Sequence, residues 1–375
     1  MQESKHREIA LEIRRRILSG KLKPEEQLPN RMELERKFKV SRVTMQKAID
    51  SLVKDGTLYA KGLRGTFVSK SPREIYHYGL VFLHEPDTNF PWSRHLKVVL
   101  REAENIFSKT PCSLSVFYGD KYHLNANGNI EFVEDVRNRR MAGLILTMNP
   151  ALFEGTEVIG DSETPKVTTS PGQNCSIPSI SYDSTGIIGE MAKYLAERNC
   201  SKTALVMYSR QHQDPGYLDI VAGELERHGL ETSDFWALGA DISRPLALRN
   251  IIQLMMRDKN FRPDSIMILD DNLIPGVIEG LKASNVRVPK DVELVAMVNF
   301  PYDEKLDVPV KMFGFDIPGQ LRLIKIKLDA IRQNQKYEKA TTIKFVSDTE
   351  YESKAGFARN PNSKFEYRNS KQTGN

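Results

Sequence analysis

The stretch KFKVSRVTMQKAIDSLVKDG, residues 37–56, places two chemistries on one helix. Met45, Ala48, Ile49, Leu52 and Val53 fall within a broad apolar arc. Lys47, Lys54 and Val43 point the opposite way, with Arg42, Thr44 and Gln46 on the flanks and Ser41 placed to cap the first turn. Cations, hydroxyls and an amide in a row can grip phosphates and read base edges, but the same residues also suit the solvated face of a core helix. Chemistry-bearing residues occur beyond this helix too. Phe90 and Trp92 could stack on a sugar ring or a base, and Asp120, Asp183, Asp270 and Asp271 could accept hydrogens from hydroxyls. Each of these Asp residues equally suits a strand end or a helix cap, Asp183 above all, since Ser184 and Thr185 come directly after it. No GxSxG, Walker A, GxGxxG or HExxH pattern occurs and the seven His are scattered, so neither catalysis, a cofactor nor a metal is expected.

Charge separates the chain into a head and a body. Residues 1–73 hold 18 Lys and Arg against 9 Asp and Glu, a net of +9 within a whole-chain +5, which leaves −4 for residues 74–375. A basic head on a mildly acidic body points to a polyanion partner for the head alone. The length of 375 residues suggests two or three folding units. No run of about 18 apolar residues appears, so no membrane span is expected. The N-terminus has no apolar core of a signal peptide, and Cys112, Cys175 and Cys200 are widely spaced, which suits a reducing cytoplasm.

The elements that must position these residues are legible in the periodicity. Ile9, Ile13 and Ile17 make a helical stripe ended by Gly20 and Pro24. Asn30 with Glu33 forms a cap for a short second helix with Leu34 and Phe38 inward, and Ser41 opens the third, which Gly56 closes. Thr57–Ala60 and Thr66–Ser69 are β-prone runs around a Gly-Leu-Arg-Gly turn. Three helices and a basic hairpin are the winged helix-turn-helix plan, in which the third helix enters the major groove.

The pieces RRRILSGKLKPEEQLP, VSRVTMQKAIDSLVKDG, LY and RGTFV make this segment resemble the GntR family of bacterial repressors. The resemblance implies a DNA-binding role for Arg31, Ser41, Arg42, Thr44, Gln46 and Lys47 and for the wing residues Arg64, Gly65 and Thr66. Three departures stand out: Met32 takes the place of a usual Arg, with Arg31 one position earlier; Gln46 replaces a second Arg; and the wing turn has one extra residue. Gln46 could read adenine, where an Arg would favour guanine.

From residue 77 onward, apolar strand-like runs alternate with amphipathic helices, which argues parallel sheets covered by helices on both faces. YGLVFLH, AGLILTM, SYDSTGIIGEMAKYLAERNCSKTALVM and PDSIMILDDNLIPGVIEGLKASNVRVPKDVELVAM resemble the effector domain of the LacI/GalR family. That resemblance implies two lobes with chain crossings near Pro178, Pro301 and Pro318 and a small ligand, expected to be a carbohydrate, bound between them. Gln213 stands where the family has a ligand-facing Arg, and Val298 followed by Asn299 stands where it has an Asp, so the site is expected to be less charged.

The expected fold is α/β overall: a winged helix-turn-helix (1–70), a linker (71–76), a two-lobed periplasmic-binding-protein-like domain with parallel sheets (77–350) and a polar, disordered tail (351–375). The expected protein is a cytoplasmic homodimer, bound to operator double-stranded DNA and controlled by an effector contacted by Phe90, Trp92, Asp120, Asp183, Gln213, Asp270, Asp271 and Asn299. A body that senses a non-sugar ligand, or serves only as a dimerisation scaffold, is the alternative.

Overall fold

The computed structural model describes residues 5–85, 92–109, 111–122, 129–161, 163–172 and 175–358. It divides into two compact units, Met1–Tyr182 with Ile317–Ile343 and Asp183–Asp316 with Lys344–Asn375.

The first unit opens with the head. Helix α1 (Lys5–Leu18) buries Ile9, Ala10, Ile13 and Ile17 against α3 (Arg42–Lys54). Between them α2 (Arg31–Phe38) starts on Asn30, whose Oδ1 accepts from the Glu33 N–H at 3.0 Å and whose Nδ2 donates to the Glu33 carboxylate at 2.7 Å. Met45, Ala48, Ile49 and Leu52 are buried as the apolar arc requires, but Val53 is 37 % exposed. The arc is narrower than expected because Val53 sits at its edge in the last turn. Strands β1 (Leu58–Ala60) and β2 (Thr66–Val68) pair antiparallel as the wing.

The segment expected to be a polar connector is partly structured. Its second half is a helical turn, α4 (Arg73–Tyr76), with Ile75 packed on the core of the head. The chain continues through β3 (His77–Phe82), α5 (Arg94–Phe107), β4 (Ser113–Tyr118), α6 (Ile130–Arg137), β5 (Gly143–Leu146), α7 (Glu157–Gly160), β6 (Lys166–Thr168) and β7 (Ser179–Tyr182).

It then enters the second unit through α8 (Ser184–Glu197), β8 (Thr203–Tyr208), α9 (Ser209–His212), α10 (Pro215–Arg227), β9 (Ala237–Ala240), α11 (Pro245–Met255), β10 (Ser265–Ile268), α12 (Ile274–Ala283), β11 (Glu293–Phe300) and β12 (Lys311–Asp316). It returns with α13 (Ile317–Arg332) and β13 (Ala340–Ile343), and ends in the second unit with β14 (Val346–Ser347) and α14 (Asp348–Ala358).

Among the described residues each unit holds a six-stranded sheet. The first runs β13-β7-β6-β5-β3-β4, all parallel. The second runs β14-β12-β11-β10-β8-β9, parallel except for β14. The central strands are buried throughout, as strands covered on both faces must be. Helix α13 lies so close on the first sheet that a Cβ at Gly143 would come within 2.8 Å of Leu328.

Two expectations are corrected. Crossings fall at residues 182–183, 316–317 and 343–344, so Pro178 and Pro318 are near crossings but Pro301 is not. Pro301 lies within the second unit, just after β11, where it ends a strand without leaving the sheet. Residues 351–358, expected to be tail, belong to α14. Ser347 and Glu350 exchange hydrogen bonds as a capping box, and the Tyr351 ring stacks on Phe300 at 4.6 Å, which anchors the helix. Residues 359–375 lie outside the described residues.

Candidate nucleic-acid interface and strand-end cluster

The start of α3 is rigidly made. Ser41 Oγ accepts from the Thr44 N–H at 3.3 Å and lies 3.0 Å from Thr44 Oγ1. Arg42 and Lys47 are exposed, as is Val43 at 65 %. Gln46 is half-buried and bonded at both ends of its amide. Arg31 Nη1 donates to Oε1 at 3.1 Å, and Nε2 donates to Asp50 Oδ1 at 2.7 Å. Arg31 also lies 3.4 Å from the Glu35 carboxylate. The head therefore brings Arg31 and Gln46 together, with Ser41, Arg42, Thr44 and Lys47 along the same helix start.

The wing is braced from beneath. Gln27 bridges to Phe67 in the hairpin, and its Nε2 donates to the Arg64 carbonyl at 2.8 Å. Gly65 has φ +101°, a backbone few side chains tolerate, and a Cβ there would lie 2.8 Å from Gln27 Nε2. Lys61, absent from the sequence expectations, sits over the Tyr59 and Phe67 rings at 5.6 and 5.5 Å. It adds a cation to Arg64 and Thr66 at the tip; its only signal in the sequence is a lysine at the end of a β-prone run.

Arg14 joins the helices of the head to α4 and to the end of α6. Its guanidinium pairs with Asp55, donates to Glu74 Oε1 at 3.0 Å, and donates to the Asn138 carbonyl at 2.9 Å. Thr57 Oγ1 donates to the same Glu74 oxygen at 2.6 Å. Burial pushes the Glu74 carboxyl above its ordinary value, against the opposing pull of Thr57 and Arg14.

In the first unit, Trp92 is only 4 % exposed. Its Nε1 donates to the His84 carbonyl at 3.1 Å, and its ring packs on Phe82 at 4.6 Å and Tyr118 at 5.9 Å. Asp120 Oδ1 accepts from the Tyr122 N–H at 2.9 Å, an Asx turn just past β4. Phe90 lies outside the described residues.

In the second unit, Asp183 caps α8 through the Gly186 N–H at 2.9 Å. Gln213 is exposed between α9 and α10. The remaining three residues meet. Asp271, 3 % exposed, accepts at Oδ2 from the Asn299 N–H at 2.9 Å and from Asn299 Nδ2 at 3.1 Å. Asp270 Oδ1 accepts from the Asn272 N–H and Nδ2 at 2.9 and 2.6 Å. The hydroxyl of Tyr217, at the start of α10, is pushed up to about 12, by burial first and then by the Asp270 charge. Val298 is fully buried in the core. This polar cluster sits just past the carboxyl end of β10 and at the last residues of β11, the end at which parallel sheets hold ligands. Asn272 was missed although its contacts are with its own neighbours Asp270 and Asp271, whereas the junction of Asp271 with Asn299 depends on the pairing of β10 with β11. Among the described residues, no group of three or more His, Cys, Asp or Glu could hold a metal ion.

Two family models match the chain: "Bacterial regulatory proteins, gntR family" over residues 5–68 and "Periplasmic binding protein-like domain" over residues 192–310. The chain joins a gntR-type head to a periplasmic-binding-protein-like body. The head is similar to the HTH-type transcriptional repressor NagR of Bacillus subtilis (strain 168), 37 % identical over 78 residues, 21 % of this chain and 32 % of that protein. An arabinose metabolism transcriptional repressor of Halalkalibacterium halodurans is 28 % identical over 154 residues, 38 % of each chain. The chain thus spans only about a third of the length of such relatives. The body has the fold of a regulatory protein of the LacI family from Chloroflexus aggregans: TM-score 0.56, 15 % identity, 72 % of this chain and 96 % of that one. A LacI family transcriptional regulator from Lactobacillus casei with bound sucrose gives TM-score 0.54 at 14 % identity, over 72 % of this chain and 98 % of that one.

Proposed function

We propose that this chain is a sequence-specific DNA-binding transcriptional repressor, acting as a cytoplasmic homodimer, whose body takes a small carbohydrate effector. The observation that carries the reading is the exposed pair Arg42 and Lys47 on the capped start of α3, in a segment that matches the gntR family model. Ser41, Thr44 and Gln46 on that helix, Arg31 beside it, and Arg64, Gly65 and Thr66 on the wing complete the surface. Two heads on a two-fold dimer read a pseudo-palindromic operator in successive major grooves. The effector is held by the strand-end groups Asp270, Asp271 and Asn299 of the second unit. The sugar-bound structural relative and the sugar-metabolism repressors among the sequence relatives support a carbohydrate.

The test is binding to duplex DNA across a salt series. Replacing Arg42 with Ala lowers affinity and reduces the slope of log K against log salt by about 1. Binding that is unchanged and insensitive to salt refutes the head assignment. A second reading, a body that serves as a scaffold or senses a non-sugar ligand, is favoured by one observation: Asp271 already takes two hydrogen bonds from Asn299. A thermal-shift screen over sugars separates the two. A sugar at a hundred times its Kd stabilises its binder by about 2.7 kcal/mol, and no shift with any sugar favours the second reading.

A further inference from the structure

Gln46 does not hang free from α3. Its carbonyl oxygen takes a hydrogen from Arg31 and its NH2 gives one to Asp50, at 3.1 and 2.7 Å. A guanidinium has only donors and an ionised carboxylate only acceptors. Turning the amide over would set oxygen against carboxylate and NH2 against guanidinium, so one orientation alone satisfies both neighbours. The residues come from two helices: Arg31 is the first residue of α2, Asp50 lies one turn beyond Gln46 on α3, and Glu35 flanks Arg31 at 3.4 Å. In that orientation Oε1 keeps one lone pair and Nε2 one hydrogen, an acceptor and a donor side by side.

We propose that Arg31 and Asp50 are positioning residues that preset the Gln46 amide as a reader of adenine, fixing a base preference that Gln46 alone would hold weakly. The inference rests on the DNA-binding role proposed above. Adenine offers a donor and an acceptor on its major-groove edge, N6–H and N7, which the remaining acceptor and donor of Gln46 match. Guanine offers two acceptors, O6 and N7, which the single hydrogen left on the preset amide cannot both satisfy. Holding the amide in advance removes the rotamer freedom that a flexible Gln would lose on binding. The third helix places Gln46 one turn beyond Arg42, within the turns that enter the groove in this architecture.

The experiment selects binding sites for the full chain from a randomised duplex library at fixed salt and sequences them. The readout is base preference at each position relative to the others, which separates it from overall affinity. The wild type selects a motif with an adenine position that Gln46→Leu loses, a preference on the order of ten- to hundredfold. Asp50→Leu, outside the proposed DNA surface, shrinks the preference at that position and leaves the rest of the motif, and Arg31→Leu shrinks it together with any DNA contact of Arg31 itself. Arg31→Lys and Asp50→Glu, which keep the donor and acceptor character, restore it, and that rescue separates positioning from a folding defect. Unchanged adenine preference in both Leu variants overturns the proposal, as does a motif with no position sensitive to Gln46. No salt-dependent binding to any duplex overturns the parent reading as well, and so is told apart from failure of the relay.

Discussion

Arg14, Arg15 and Arg16 are consecutive and identical in type, and the fold treats each differently. Arg15 and Arg16 stay at the surface, pairing with Glu12, with Glu163 for Arg15 and the Phe38 ring for Arg16. Arg14 is buried because it lies four residues from both Ala10 and Leu18, on the stripe that faces the core. A basic run reads as solvated, so its buried member is visible only in the helix phase, and its partner Glu74 sits 60 residues away. Glu74 binds its proton more tightly when folded than when unfolded. Its contribution to stability is therefore present below the ordinary value of 4.5 and is lost as pH rises through the raised folded value. Glu74→Gln keeps the shape without the charge. Its thermal midpoint should gain on that of the wild type as pH rises from 4 toward neutrality, and parallel curves would rule the account out.

At the scale of elements, the three helices and wing of the head were legible because each is set by local signals: a stripe, a cap, a Gly. The boundaries of α3 are set by Ser41 and Gly56. Ser41→Ala should cost about 1 kcal/mol of stability through the lost cap. Ser41→Asp should keep the cap, yet weaken DNA binding by setting a negative charge beside the phosphates; denaturant melts and anisotropy titrations of the two variants read these effects separately. What was not legible depends on partners far along the chain. Helix α14 reads as polar tail because its anchors lie far back in the chain: Phe300 for the Tyr351 ring, and Lys311 and Met312 for Asp348. The short strand β9 hides in the small residues Ala237–Ala240, and the junction of Asp271 with Asn299 needs β10 paired with β11.

At the scale of the molecule, the alternation of strands and helices announced two α/β units, and of the three crossings that the resemblance implied only those near Pro178 and Pro318 are found, since a proline marks the end of a strand whether or not the chain changes unit. The head is held to the rest of the first unit through Arg14 and Asn138, and through Arg15 and Glu163 at the surface. Arg14→Met leaves Asp55 and Glu74 buried without their cation, a loss of about 3–5 kcal/mol. It should speed limited proteolysis in residues 69–72, while Glu163→Ala, which breaks the partly exposed pairs with Arg15 and Arg139, should leave the cleavage rate nearly unchanged. Equal rates in the two variants would place the anchorage elsewhere. The first unit also has a history written into its connectivity. Helix α13 and strand β13, which cover and complete its sheet, come from residues 317–343, after most of the second unit. On a ribosome adding ~5–20 residues per second, the head is finished roughly 15–50 s before that sheet can close. During that interval the buried face that receives Leu328 lies open to water, so nascent chains halted before residue 317 are the ones that should need a chaperone.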